Sequence, residues 1–277
     1  ALAAEVICHA LTHTGAVRAH NEDAIAVNGW RPGRADLTRP ARRRVALDGG
    51  VTMGVADGMG GHPGGDVASR AAVDFVLAHA DSLRDAAAAR GVLEAANGHL
   101  HALMKEGAGP PGMGTTLAGL ALWPDGGVVF NVGDSRVYAV SAEGTPHQIS
   151  TDDTPGPRST DGRVALETTP IVSQCLGGQR TPAPLAPHAE ALPAPTPGAR
   201  YLLCSDGLSD RVSRAHIGAI LAREADGPAV EALFEAALAA GGADNVSILL
   251  ARVVPLGDPV GDTVGDPADS GERGGET

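Results

Sequence analysis

The chain predicts an α+β fold, with antiparallel sheets and helices packed outside them. Three observations carry this. Strand-like apolar runs come in groups, apart from the runs of helical spacing, without the strict alternation of a parallel α/β sheet. Hydrophobic residues are 43% of the 277, enough for a substantial core, while aromatics are only 3%, so Ala, Val and Leu must fill it. Several apolar runs end in an aspartate beside a glycine, where a strand gives way to a turn.

In order along the chain, residues 5–11 and 24–27 read as the first strands. Residues 28–48, rich in Pro, Gly and Arg, read as an inserted surface loop, with Arg42, Arg43 and Arg44 solvated within it. A strand follows at 51–56. Residues 66–79 then show helical spacing through Val67, Ala71, Phe75 and Ala78, and 83–105 form a second helix on Leu93, Ala96, Leu100 and Leu103. Residues 115–122, 128–132 and 136–140 are short strands split by turn residues such as Pro124-Asp-Gly126. Residues 155–197 hold nine of the twenty prolines and little periodicity. A strand at 201–204, helices at 214–225 and 228–240, and a strand at 246–253 complete the pattern. Pro228 stands in a first helical turn, where its missing N–H costs nothing. The stretch 255–277 has six acids, one arginine and no aromatic, and reads as a disordered acidic tail. The expected organisation is a single domain over 1–254 followed by that tail.

Composition excludes several classes. A net charge of −12, with no Lys/Arg block beyond Arg42-Arg43-Arg44, argues against nucleic acid as the main partner. The three cysteines, at unrelated spacings, fit a reducing compartment and no disulfide framework. No apolar run reaches the roughly 18 residues of a membrane helix, and no secretory leader is visible. The expectation is a cytoplasmic monomer without membrane contact.

The chemistry lies in five short stretches: Arg18-Ala-His-Asn-Glu-Asp23, Asp57-Gly-Met-Gly-Gly-His62, Gly133-Asp-Ser-Arg136, Ser205-Asp-Gly207 and Gly242-Ala-Asp-Asn245. An aspartate just past a strand end presents its carboxylate, and a neighbouring glycine lets backbone oxygens approach the same point. Several such ends together make an all-oxygen site, which suits Mg²⁺ or Mn²⁺ and not zinc or copper. One Asp-Gly alone is a turn far more often than a ligand; five in concert are not. In order and content they resemble the PPM family, the metal-dependent type 2C Ser/Thr protein phosphatases, in its compact bacterial form. Met113-Gly-Thr-Thr116 and Tyr201-Leu-Leu-Cys-Ser-Asp-Gly-Leu-Ser-Asp210 extend the resemblance, which covers about residues 10–253.

The resemblance implies an α-β-β-α sandwich of two stacked antiparallel sheets flanked by helices. It implies hydrolysis of phosphoserine and phosphothreonine in proteins, opposing a bacterial Ser/Thr kinase, by direct attack of a water held between two Mg²⁺ or Mn²⁺ ions. Carried onto this chain, it makes Asp57 the carboxylate shared by both ions and Gly58 the backbone ligand of the first. Asp206 and Asp244 hold the second. Glu22 and Asp23 act through bound waters, and Asp134 joins Asp206 at a possible third ion. Arg18 clamps phosphate oxygens. His62 is the general acid for the leaving oxygen. Phosphoproteins are then the substrates. One segment departs from the family: the flap after Ile149-Ser-Thr-Asp-Asp-Thr154 is shortened before Leu176-Gly177, which bears on substrate choice within 155–198. The alternative is a catalytically weak regulatory module of the same fold that binds a phosphoprotein or a kinase.

Overall fold

The computed structural model describes residues 3–59, 64–154 and 172–258. The chain runs β1 (Ala4–His13), β2 (Asp23–Val27), β3 (Ala41–Ala46), β4 (Val51–Asp57), α1 (Gly65–Ala78), α2 (Ala86–Glu106), β5 (Gly114–Thr115), β6 (Leu117–Trp123), β7 (Gly126–Val132), β8 (Arg136–Val140), β9 (Pro146–Gln148), β10 (Leu176–Gly177), β11 (His188–Leu192), β12 (Arg200–Cys204), α3 (Asp206–Ser209), α4 (Arg214–Arg223), α5 (Asp226–Ala239) and β13 (Val246–Pro255). Six strands form one sheet in the order β3-β1-β13-β12-β8-β9, and five form another in the order β11-β7-β6-β4-β2. Strands β5 and β10 make a separate pair, and every ladder is antiparallel.

Side-chain alternation stacks these layers. Along β6, Ala118, Leu120 and Leu122 face the space between the sheets, while Leu117, Ala121 and Trp123 face α1 and α2. Along β13, Leu249, Ala251 and Val253 join the inter-sheet core; Val246, Ile248 and Leu250 pack under α4 and α5. Strands buried on both faces show no polar alternation, which is why they read as continuous apolar runs. The result is the expected α-β-β-α sandwich. Helix α2 is held at both ends, by the Asp85 carboxylate accepting from Ala88 N at 2.8 Å and by Gly107 in the left-handed conformation at φ 76°.

Three expectations need correction. Residues 28–48 are not all loop, because Ala41–Ala46 is an edge strand paired with β1. Its arginines hid it: they line an edge strand, a place where charge is favoured, with Arg43 stacked 4.2 Å over the Trp30 ring and Arg44 beside Glu5. Within 155–197, β10 is only two residues long, and β11 is short and bordered by Pro187 and Pro193, so neither reads as a strand. The second helix begins at Ala86, after a 3₁₀ turn at Ala80–Ser82. Residues 155–171 of the flap region 155–198, His62, and the tail beyond residue 258 lie outside the described residues.

Candidate metal centre

Four strand ends meet at one edge of the sandwich, two from each sheet. Asp23 opens β2 and stands directly opposite Asp57, the last residue of β4. Asp206 follows the end of β12 as the first residue of α3, and Asp244 lies two residues before β13. The turns holding them are cross-braced. Thr116 Oγ1 accepts from Asp57 N at 3.0 Å, and Thr115 Oγ1 donates to Asp57 O at 2.8 Å. Ser205 Oγ donates to Asp23 Oδ2 at 2.8 Å and accepts from Ser247 N at 3.0 Å. Asn245 Oδ1 accepts from Glu22 N, while its amide donates to the carbonyls of Thr14 and His20. A single amide therefore ties the 14–22 loop to the β13 turn.

This much buried carboxylate is electrostatically costly. Burial, then the neighbouring Asp23, Asp206 and Asp134, hold the Asp57 carboxyl well above its usual range, and it shares a hydrogen bond with Asp206. Burial, then Asp244 and Asp210, push Asp206 to about 6. Asp23 rises to about 7 through burial, against the lowering hydrogen bonds of Ser247 and Ser205. Asp134, beside Asp206, Asp210 and Asp152, rises to about 8, again mainly through burial. Arg18 Nη2 donates to Asp244 Oδ2 at 2.7 Å and feels the charges of Asp57 and Asp206. Glu22 is raised by its partial burial, then by Asp66.

Among the described residues no three such side chains already close on one point; Ser205 and Arg18 engage one oxygen each of Asp23 and Asp244. The donor set nonetheless fits a hard divalent cation. Asp23 Oδ1 and Asp206 Oδ1 are buried and lack any hydrogen-bond partner, and all the candidate donors are oxygens. Gly58 completes the cradle. Any Cβ there would collide with the carbonyl oxygens of Gly65 and Glu22, so the backbone itself lies against the site.

Comparison with known proteins accords with this geometry. The family model for Protein phosphatase 2C matches residues 41–246. The chain belongs to the protein phosphatase 2C family. This 2C chain is 33% identical over 251 residues to the serine/threonine protein phosphatase PstP of Mycobacterium tuberculosis, covering 87% of its own length and 43% of PstP. It thus spans less than half of that relative. It is 29% identical to the protein phosphatase PhpP of Streptococcus pneumoniae, over 87% of this chain and 94% of PhpP. The catalytic domain of PstP in complex with two manganese ions superposes with a TM-score of 0.68 at 31% identity, over 90% of this chain and 99% of that domain.

Of the expected site residues, the 2C chain brings together Arg18, Glu22, Asp23, Asp57, Gly58, Asp134, Asp206 and Asp244; His62 lies outside the described residues. Thr115, Thr116, Ser205 and Asn245 went unassigned although they stand inside the quoted stretches. Ser205 and Asn245 carried a signal, a hydroxyl or amide adjoining an aspartate, the residue types that bond local backbone; Thr115 and Thr116 adjoin no aspartate, and only the fold brings them against Asp57. Asp66 was missed altogether, since only the fold brings it near Glu22.

Proposed function

We propose that this chain removes phosphate from phosphoserine and phosphothreonine in proteins, using Mn²⁺ or Mg²⁺ held by Asp57, Asp206, Asp244 and the Gly58 backbone, with Asp134 at a third position. The observation that carries this is the buried carboxylate cluster, with its two unpartnered oxygens, at four converging strand ends. When bound there, such ions supply charge neutralisation and an acidified water. The protein's own part is positional. The Thr115, Thr116, Ser205 and Asn245 bonds fix the carboxylates before a substrate arrives, so little reorganisation remains for the reaction. Arg18 exchanges Asp244 for phosphate oxygens and binds them through its planar fork. Asp23 and Glu22, beside the cluster, hold waters by accepting their hydrogen bonds. His62 protonates the departing seryl or threonyl oxygen.

The substrates on this proposal are phosphoproteins supplied by a Ser/Thr kinase, and the chain works as a cytoplasmic monomer within the single domain 1–254. The net charge of −12 and the three free cysteines support that setting, and no helix among the described residues is long and apolar enough to cross a membrane. The test is hydrolysis of a chromogenic phosphomonoester and a phosphothreonine peptide with Mn²⁺, with Mg²⁺ and with EDTA. Turnover that requires metal supports the proposal. Its absence from folded, metal-supplied protein would favour the binding module instead.

A further inference from the structure

The segment between β2 and β3 folds over α1. Arg31 grips Asp74 through two parallel hydrogen bonds, Nε to Oδ1 at 3.0 Å and Nη2 to Oδ2 at 3.1 Å. Arg34 Nη1 donates to Asp66 Oδ2, in the first turn of α1. Arg70 donates to the Gly33 carbonyl at 3.2 Å. Asp66, Arg70 and Asp74 follow one another at four-residue spacing, so they share one helix stripe. Three guanidinium groups therefore meet two carboxylates, and Arg31 and Arg34 each lower the Arg70 pKa, after burial has done so. As exposed ion pairs these contacts are worth little stability. The Arg34 side chain is 71% exposed, which leaves donors open to solvent.

The cluster borders the metal centre. Gly65, next to Asp66, sets its carbonyl against Gly58. Ser69 Oγ, beside Arg70, donates to Glu22 O at 2.6 Å. Glu22, Asp23, Asp57, Asp206 and Asp244 make this edge strongly acidic. The target phosphate has Arg18 and the bound cations to meet it; a second anion on the substrate, beyond their reach, meets these arginines along the first turns of α1. We propose that Arg31, Arg34 and Arg70 form a subsite for a second anionic group, carboxylate or phosphate, on the phosphoprotein substrate. This rests on the phosphatase function proposed above. Planar guanidinium forks suit both oxyanions, and an exposed, screened contact acts on KM rather than kcat.

The experiment uses Mn²⁺-loaded protein and three phosphothreonine peptides, flanked by glutamates, by glutamines, or by one further phosphoserine. Wild type should show a KM lower by about fivefold or more for at least one anionic peptide than for the glutamine peptide, a gap that narrows with added salt. Whichever anionic peptide gains identifies the anion. In Arg34→Ala/Arg70→Ala the gap should vanish, with kcat and chromogenic-ester kinetics unchanged, and Arg34→Lys/Arg70→Lys should restore part of it. Equal KM for all three peptides in wild type overturns the proposal. So does a double variant that loses chromogenic-ester turnover in proportion, since the cluster would then only brace α1. Should wild type turn over nothing, the phosphatase function fails by itself. The subsite is then read by fluorescence anisotropy of the labelled peptides: tighter binding of an anionic peptide, lost in the double variant, supports it, and equal binding overturns it.

Discussion

Asp57 faces three other carboxylates, and its two peptide groups are pinned by Thr115 and Thr116. Exchanging it for an amide keeps the shape and removes the charge that the shared-ligand role proposed for it requires. Asp57→Asn is expected to lower turnover by more than about a hundredfold, and Mn²⁺ affinity with it; calorimetric titration with Mn²⁺ beside steady-state assays checks both. Arg18 is tethered by Asp244 and 42% exposed, and the role proposed for it is phosphate binding and not the chemical step. Arg18→Ala is therefore expected to raise KM by about tenfold with a much smaller change in kcat. At this scale the sequence was most informative, because a ligand has to be a particular residue type beside a particular turn. What stayed hidden were partners made adjacent only by folding, such as Asp66 against Glu22 or Asp210 against Asp134.

Helix α3 is a single turn, yet it carries Asp206, and its placement depends on Gly207. A methyl group there would run into the Asn245 carbonyl, so α3 could not lie against the start of β13. Gly207→Ala is expected to destabilise by about 1–3 kcal/mol through overpacking and to weaken Mn²⁺ binding by shifting Asp206. Urea denaturation with and without Mn²⁺ measures both effects; unchanged stability would contradict the packing argument. The helices α1 and α2 were legible from their spacing, and β6 from its continuous apolar run. The edge strand β3, a string of arginines, and the two-residue β10 were not, since neither carries the apolar pattern that marks a strand. Their identity comes from their pairing partners, β1 and β5.

The whole molecule holds buried, mutually repelling carboxylates at one edge. Asp206, Asp23 and Asp134 retain protons up to about pH 6, 7 and 8, whereas an unfolded aspartate gives up its proton near about pH 4. The folded state therefore binds more protons across that interval, and stability falls as pH rises from about 4 to 8. In EDTA the melting temperature is expected to be lower at pH 8 than at pH 6, and Mn²⁺ is expected to raise it more at pH 8, where a cation has no proton to displace. Thermal melts at the two pH values, with and without Mn²⁺, decide this; equal shifts would count against the cluster as the cation site. The layering was legible at this scale through grouped strands, but strand order was not, because sequence spacing does not reveal which distant runs pair. The widest of those pairings has a consequence for biosynthesis. Strand β1 lies between β3 and β13, with Ala4 opposite Pro255. Strand β1 thus waits for β13, synthesised long after it, before the six-stranded sheet can close. The five-stranded sheet draws only on residues 23–192 and can assemble first on the nascent chain. Asp206 and Asp244 join Asp23 and Asp57 only once the six-stranded sheet forms, so the carboxylate cluster is assembled after the five-stranded sheet and not during its folding.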